Sequence, residues 1–269
     1  MLRLPAVAGQ FYPGNPQELS ALVEQYTKDA GTQEKVKVHA CLVPHAGYVY
    51  SGGVAGAVFS RIFLPKKILL LGVRHHARGE ALAILSEGAW RTPLGDVPVE
   101  TALAAQLRKE CPALREDSVA HSREHSLEVE LPFLQVLDPG FSFVPIAVGT
   151  HRLEELAETG EGIARVLKEN REEILLVTSS DMNHYEDDET TRRKDRKAID
   201  RMLAMDARGL YDVCREEDIS MCGLGPAVTM LTAMKRLGAE KAELLRYATS
   251  GDVSGDRDAV VGYAGMIFG

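Results

Sequence analysis

Ile68-Leu69-Leu70-Leu71 has no polar residue. A strand with one wet face alternates apolar and polar side chains. A run without that alternation needs cover on both faces, as strands of a helix-flanked sheet have. Ile174-Leu175-Leu176-Val177 repeats the pattern about a hundred residues later, and both are expected as central strands. Upstream, Asn15-Pro16 is a helix start, with Leu19, Leu22, Val23 and Tyr26 on one face and an end by Gly31. Val36 to Val43 reads as a strand closed by Pro44, and Ser51 as the cap of a small-residue helix from Gly52 to Arg61. Ala81 to Leu85 is a further strand. Trp90 to Val99 forms strands around a turn, and Pro93, Gly95 and Pro98 place them at an edge. Downstream, strands at Phe141–Val148, Leu244–Ala248 and Val260–Ile267 are interleaved with helices at Thr101–Lys109, Leu153–Lys168, Asp195–Met205, Ala207–Arg215 and Pro226–Arg236, the last stopped by Gly238. Leu127 to Leu134 fits a helix face with Pro132 as a disruption. Strands alternating with helices predict an α/β fold, a three-layer α/β/α arrangement with a mixed central sheet, as one domain spanning 1–269.

The 269 residues are 45% hydrophobic and 26% charged, which is ordinary for a globular chain. A net charge of −8 argues against nucleic acid as a partner. The dense basic run Arg192-Arg193-Lys194-Asp195-Arg196-Lys197 follows Glu186-Asp187-Asp188-Glu189 and reads as a solvated helix start with i,i+4 pairs. No apolar run approaches the roughly 20 residues of a membrane span. The start Met1-Leu2-Arg3-Leu4-Pro5 lacks a secretory hydrophobic stretch, so the cytoplasm is the expected compartment. The four cysteines, Cys41, Cys111, Cys214 and Cys222, form no CxxC pair and no disulfide framework.

Histidines and one cysteine gather at turns after strands, where open α/β proteins build their sites. They are His45 in Pro44-His45-Ala46-Gly47, the pair His75-His76, His125 in Glu124-His125-Ser126, His184 in Asp181-Met182-Asn183-His184, and Cys222 before Gly223. Imidazole and thiolate suit transition metals, so the set suggests one metal pocket assembled from distant loops. Each member also has a plain reading: a hydrogen-bonded loop histidine, a surface pair, an N-cap Asp181, a buried thiol. Neighbours on extended backbone diverge, so one of His75 and His76 is expected to face a given site. Asp181 is placed to orient His184, and Arg74 and Arg78 to attract an anion. His121 and His151 read as surface, Cys41 as core, and Cys111 and Cys214 as helical or peripheral. No GxSxG elbow supports a serine hydrolase at Ser180.

Taken in order, several blocks carry a family resemblance. They are Ala6-Val7-Ala8-Gly9-Gln10-Phe11-Tyr12-Pro13, Pro44-His45-Ala46-Gly47-Tyr48, Gly72-Val73-Arg74-His75-His76, Trp90-Arg91-Thr92-Pro93-Leu94-Gly95-Asp96, Glu124-His125-Ser126-Leu127-Glu128, Ser179-Ser180-Asp181-Met182-Asn183-His184-Tyr185 and Cys222-Gly223. With them the chain closely resembles, over almost its whole length, the MEMO family, whose prokaryotic members are called AmmeMemoRadiSam system protein B. That family is similar in fold to LigB-type class III extradiol dioxygenases, which hold Fe(II) with two histidines and a carboxylate. The resemblance implies His45, His76 and Cys222 as metal ligands, with Cys222 where the dioxygenases have a carboxylate. It implies His184 as acid/base with Asp181 beside it, and His75, His125 and Arg74 around the pocket. Val73-Arg74 departs from the residues many relatives carry before the histidine pair.

Three functions follow from the resemblance. One is a metal-dependent oxidoreductase acting on a small aromatic molecule, with Fe(II) the first expectation and copper or zinc the alternatives. The second is a non-catalytic module that binds anionic, phosphotyrosine-type peptides. The third is iron or copper handling. The family name implies an AMME-type protein and a radical-SAM enzyme as partners.

Overall fold

The computed structural model describes residues 1–29, 34–170 and 173–269. The elements in order are β1 (Leu2–Arg3), α1 (Pro16–Asp29), β2 (Ala40–Val43), α2 (Tyr48–Arg61), β3 (Lys67–Val73), β4 (Leu82–Ile84), β5 (Ala89–Thr92) and β6 (Gly95–Pro98). There follow α3 (Thr101–Glu110), β7 (Arg115–Glu116), α4 (Ser118–His121), a 3-10 turn at Glu128–Glu130, α5 (Leu131–Leu137), β8 (Ser142–Val148), α6 (Leu153–Glu169) and β9 (Ile174–Ser179). The chain closes with β10 (His184–Glu186), α7 (Asp188–Leu203), α8 (Ala207–Glu216), α9 (Leu224–Leu237), β11 (Ala242–Thr249), α10 (Gly251–Ser254) and β12 (Val260–Phe268).

The main sheet runs β10-β12-β2-β9-β3-β8-β4-β7, with β11 paired to β12. β2, β9, β3 and β8 are parallel, whereas β4 and β12 join antiparallel, so the sheet is mixed. The two apolar runs lie side by side at its centre, with Ile68 opposite Leu175 and Leu70 opposite Val177. Alternation then divides their side chains between the faces. Leu69, Leu71 and Leu176 enter a core with helices α3, α6, α7, α8 and α9. Ile68, Leu70, Leu175 and Val177 enter another under α1, α2 and α5. Full burial contributes roughly 1.5–3 kcal/mol for each such side chain, which no edge position would supply.

Several local expectations change. Asn15 does cap α1, its Oδ1 accepting from the amides of Gln17 and Glu18, while the expected end at Gly31 lies outside the described residues. α2 begins at Tyr48, one turn before the expected cap, and the Ser51 hydroxyl turns back to the Ala46 carbonyl. Pro132 opens α5 and does not disrupt it, because a first-turn residue needs no donor. The basic run lies within α7, where Arg192 pairs with Asp188 and Arg196 with Asp200. β5 and β6 form a hairpin of a separate small sheet whose outer strand is β1. Cys214 is helical, within α8, and Cys111 follows the end of α3, and both are buried. Among the described residues no helix is long and apolar enough to cross a membrane.

Candidate metal centre

Parallel strands end on one edge of a sheet, so the loops after β2, β3 and β9 meet there. The first carries His45, the second His75, the third Ser179 to Asp181. Two glycines allow the remaining loops to close in. A Cβ on Gly72 would run into Ser126 and Leu127, and one on Gly223 into Ser180. At the first contact Ser126 Oγ accepts from the Val73 amide at 3.0 Å, which seats Glu124 and His125 against the end of β3. At the second the Gly223 amide donates to Ser180 Oγ at 3.0 Å, which brings Cys222 beside Asp181.

One ring nitrogen from each of His45, His75 and His125 lies within 4.8 Å of the others. The His75 and His125 rings stack at 4.5 Å, and His45 stands edge-on to both. Cys222 Sγ sits 3.2 Å from His45 Nε2. The Ser126 carbonyl, which can only accept, lies 2.7 Å from Ser179 Oγ. It takes the hydroxyl proton, so Ser179 Oγ receives one from His45 Nδ1 at 2.7 Å. His45 Nε2 is thereby left with a lone pair facing the cluster. His75 is set by Glu124, whose Oε2 accepts from the His75 amide at 2.7 Å and whose Oε1 accepts from Nδ1 at 2.8 Å. Phe11 packs edge-on to His125 at 4.8 Å.

His76 is not in the cluster. Its side chain leaves on the other side of the chain and lines a groove with Val119 and Arg123. One of the pair faces the site, and it is His75, because Glu124 holds that ring just beyond the end of β3. Asp181 also departs from its expected role. Its Oδ1 accepts from the His45 amide at 2.8 Å and Oδ2 lies 4.0 Å from His45 Nε2. The residue that orients His184 is Ser220, whose carbonyl accepts from Nδ1 at 3.0 Å. The Arg74 guanidinium donates to the Gly79 carbonyl and is turned from the cluster. His121, expected at the surface, is buried edge-on to Trp90.

Glu124, Ser179 and Ser220 hold the rings of His75, His45 and His184, and no sequence spacing marks them, because each lies far along the chain from the ring it holds. Phe11 stood in the first of the blocks that carry the resemblance and was given no role.

Burial depresses His45 to about 3, helped by the neighbouring His75. It carries His125 and His121 to about 4. Burial alone would raise the Glu124 carboxyl, but the hydrogen bond and charge of His75, with the Ser126 amide and His125, bring it down to about 2. Burial raises the Cys222 thiol, and Asp181 adds to the rise. A metal would have to draw off that proton, whereas the His45 and His125 imidazoles are held neutral by burial.

Acid sensitivity follows. The three depressed histidines stay neutral in the folded chain, while the unfolded chain protonates them below about 6.5. Their contribution is intact above that pH and lost as pH falls toward 4 and then 3. The Glu124 contribution is present above about 4.5 and lost only toward 2. Burial also raises the Asp195 carboxyl to about 7, and those of Glu130 and Asp181, which gain stability over the same fall in pH, so the histidine share is read by difference. Urea unfolding at pH 7.5 and 5 should show the metal-free parent losing up to about 1.4 kcal/mol more per pH unit than His121→Phe. An equal change in both would contradict the buried neutral assignment.

This geometry can be set beside known proteins. The Memo-like protein family profile matches residues 3–267. The chain belongs to that family. A MEMO1 family protein of Methanopyrus kandleri is 41% identical over 280 residues, covering 100% of this chain and 99% of its own. One from Archaeoglobus fulgidus is 42% identical over 267 residues, covering 99% of each. Among solved structures, an uncharacterized protein of Escherichia coli K12 matches with a TM-score of 0.53 at 14% identity, over 84% of this chain and 99% of its own. That similarity concerns the fold alone. As a Memo family member, this chain holds its three-histidine cluster at the ends of the parallel strands.

Proposed function

We propose that this protein binds a transition-metal ion through His45, His75 and His125, with the Cys222 thiol beside His45, and uses it in oxidoreductase chemistry on a small aromatic molecule. Fe(II) is the ion of this reading, with copper and zinc as competitors. The observation that carries it is the convergence of three imidazoles with Cys222 Sγ 3.2 Å from His45 Nε2. Neutral imidazole and sulfur donors fit such ions, whereas hard cations prefer oxygen.

A bound iron would supply Lewis acidity and one-electron redox chemistry. The chain supplies the rest. Ser179 fixes the His45 tautomer and Glu124 the direction of the His75 ring, so neither must reorganise when an ion enters. His184 keeps its Nδ1 proton on the Ser220 carbonyl, which leaves Nε2 free to take a proton from a substrate hydroxyl.

The thiol favours a second reading. Sulfur suits Cu(I) and zinc and is itself oxidisable, so metal handling without turnover is the alternative. The test is metal analysis of anaerobically purified protein, followed by O₂ uptake with catechols. The enzyme reading expects uptake that falls by roughly 10²–10⁴-fold in His184→Ala while the metal is retained. Stoichiometric metal with no uptake for any aromatic diol would transfer the assignment to metal handling.

A further inference from the structure

A concave surface lies on the side of the chain to which His76 turns. Residues 1–6 form one wall of a hollow of about 700 Å³, and Ser118, Val119, Ser122, Arg123 and His76 form the other. A smaller hollow of about 320 Å³ adjoins it, sharing His76 and Arg123 and adding Arg78. Among the described residues no Asp or Glu lines either, in a chain of net charge −8. Asp117, the nearest acid before α4, spends its carboxylate on the amides of Glu80, Val119 and Ala120. Arg78 and Arg123 are exposed, and among the described residues neither has an ion-pair partner. Arg3, also on these walls, is already paired with Glu128. Leu4 and Val119 add apolar surface, 61% and 54% exposed.

The backbone of this wall is also available. β1 pairs only with β5, so it is the edge of its sheet. The Ala89 amide donates to the Met1 carbonyl, and in a parallel ladder alternate residues bond to the same neighbour. The amide and carbonyl of Leu2 therefore face away from β5, on the groove side. The edge is held in place from beneath. Arg3 Nε donates to the His121 carbonyl at 3.1 Å and Nη2 to the Glu124 carbonyl at 2.6 Å.

We propose that this groove docks an extended acidic segment of a partner protein. The segment adds to the free edge of β1, lays alternate apolar side chains on Leu4 and Val119, and sets carboxylates against Arg78 and Arg123. Main-chain hydrogen bonds supply affinity in such strand addition and side-chain pockets supply selectivity. The shape favours a chain over a compact anion, since the hollow of about 700 Å³ between residues 1–6 and α4 is far larger than a single phosphate or carboxylate needs. The charge pattern selects the sign, because a basic strand would meet unpaired guanidinium groups.

The proposal is independent of the metal reading. Its probe is fluorescein-labelled Val-Glu-Val-Glu-Val-Glu, with Val-Lys-Val-Lys-Val-Lys as control, in fluorescence anisotropy with the full chain at low salt. The glutamate peptide should bind at least about tenfold more tightly than the lysine peptide. Added salt should weaken it, and the exposed double change Arg78→Glu with Arg123→Glu should abolish the preference. Equal binding of the two peptides, or a preference that survives the double change, would overturn it. So would displacement of the glutamate peptide by free glutamate or inorganic phosphate at equal concentration, since the hollow would then be a small-anion site. Circular dichroism and an unchanged urea midpoint would show that the variant is folded.

Discussion

Replacing His75 with alanine should abolish the metal binding proposed for the cluster, whereas replacing His76 should leave it intact. The two are chain neighbours of the same type, so composition does not separate them. Their surroundings do. His75 has its amide and Nδ1 anchored on one buried carboxylate and its ring stacked on His125, while His76 faces the groove on the other side. Loss of a residue that orients a ligand typically weakens a metal by about 10–100-fold. Loss of His75 itself should therefore cost at least about 100-fold, Glu124→Gln a value inside that range, and His76→Ala less than about threefold. Competition with a metallochromic chelator under anaerobic conditions measures all three. An equal loss from His75→Ala and His76→Ala would show that the cluster is not the binding site.

The largest stability effect should come from Glu128, outside the pocket. Its Oε1 accepts from Tyr12 Oη at 2.5 Å and the Val7 amide at 3.1 Å. Its Oε2 accepts from the Ala6 amide at 2.7 Å and is paired with Arg3. Both side chains of the ion pair are buried, at 5% and 0% exposure. The Arg3 guanidinium also lies 4.2 Å over the Trp90 ring. One carboxylate thus ties the N-terminal segment, including the Phe11 that packs on His125, to the body of the protein. Glu128→Ala strands a buried cation and three donors. Breaking a buried pair from one side costs about 3–5 kcal/mol, and urea unfolding with an unchanged slope should show it. Arg3→Met combined with Glu128→Leu should recover part of that loss, because the desolvated charge is gone. A single-variant change below about 1 kcal/mol would mean the pair is spectator to folding.

The central strands and layered class were legible in the chain because burial on both faces leaves a direct trace. Ile68 to Leu71 and Ile174 to Val177 have no polar residue to spare for a wet face, and they lie side by side at the middle of the sheet. His45, His125 and Cys222 were legible as members of one pocket, because each follows a strand end or a turn that places it at the same edge. The choice between His75 and His76 was not. Strand geometry says that neighbours diverge, but which side faces the pocket depends on Glu124, delivered by a segment about fifty residues away across the close contact at Gly72. The same holds for the partners of Asp181 and His184. Local spacing paired them with each other, while the tertiary structure gave Asp181 to the His45 amide and His184 to the Ser220 carbonyl. Apolar patterning is set by burial, which each residue type records for itself. Hydrogen-bond partnership between distant loops is settled only when packing brings the donors and acceptors within reach, and no single stretch of sequence encodes it.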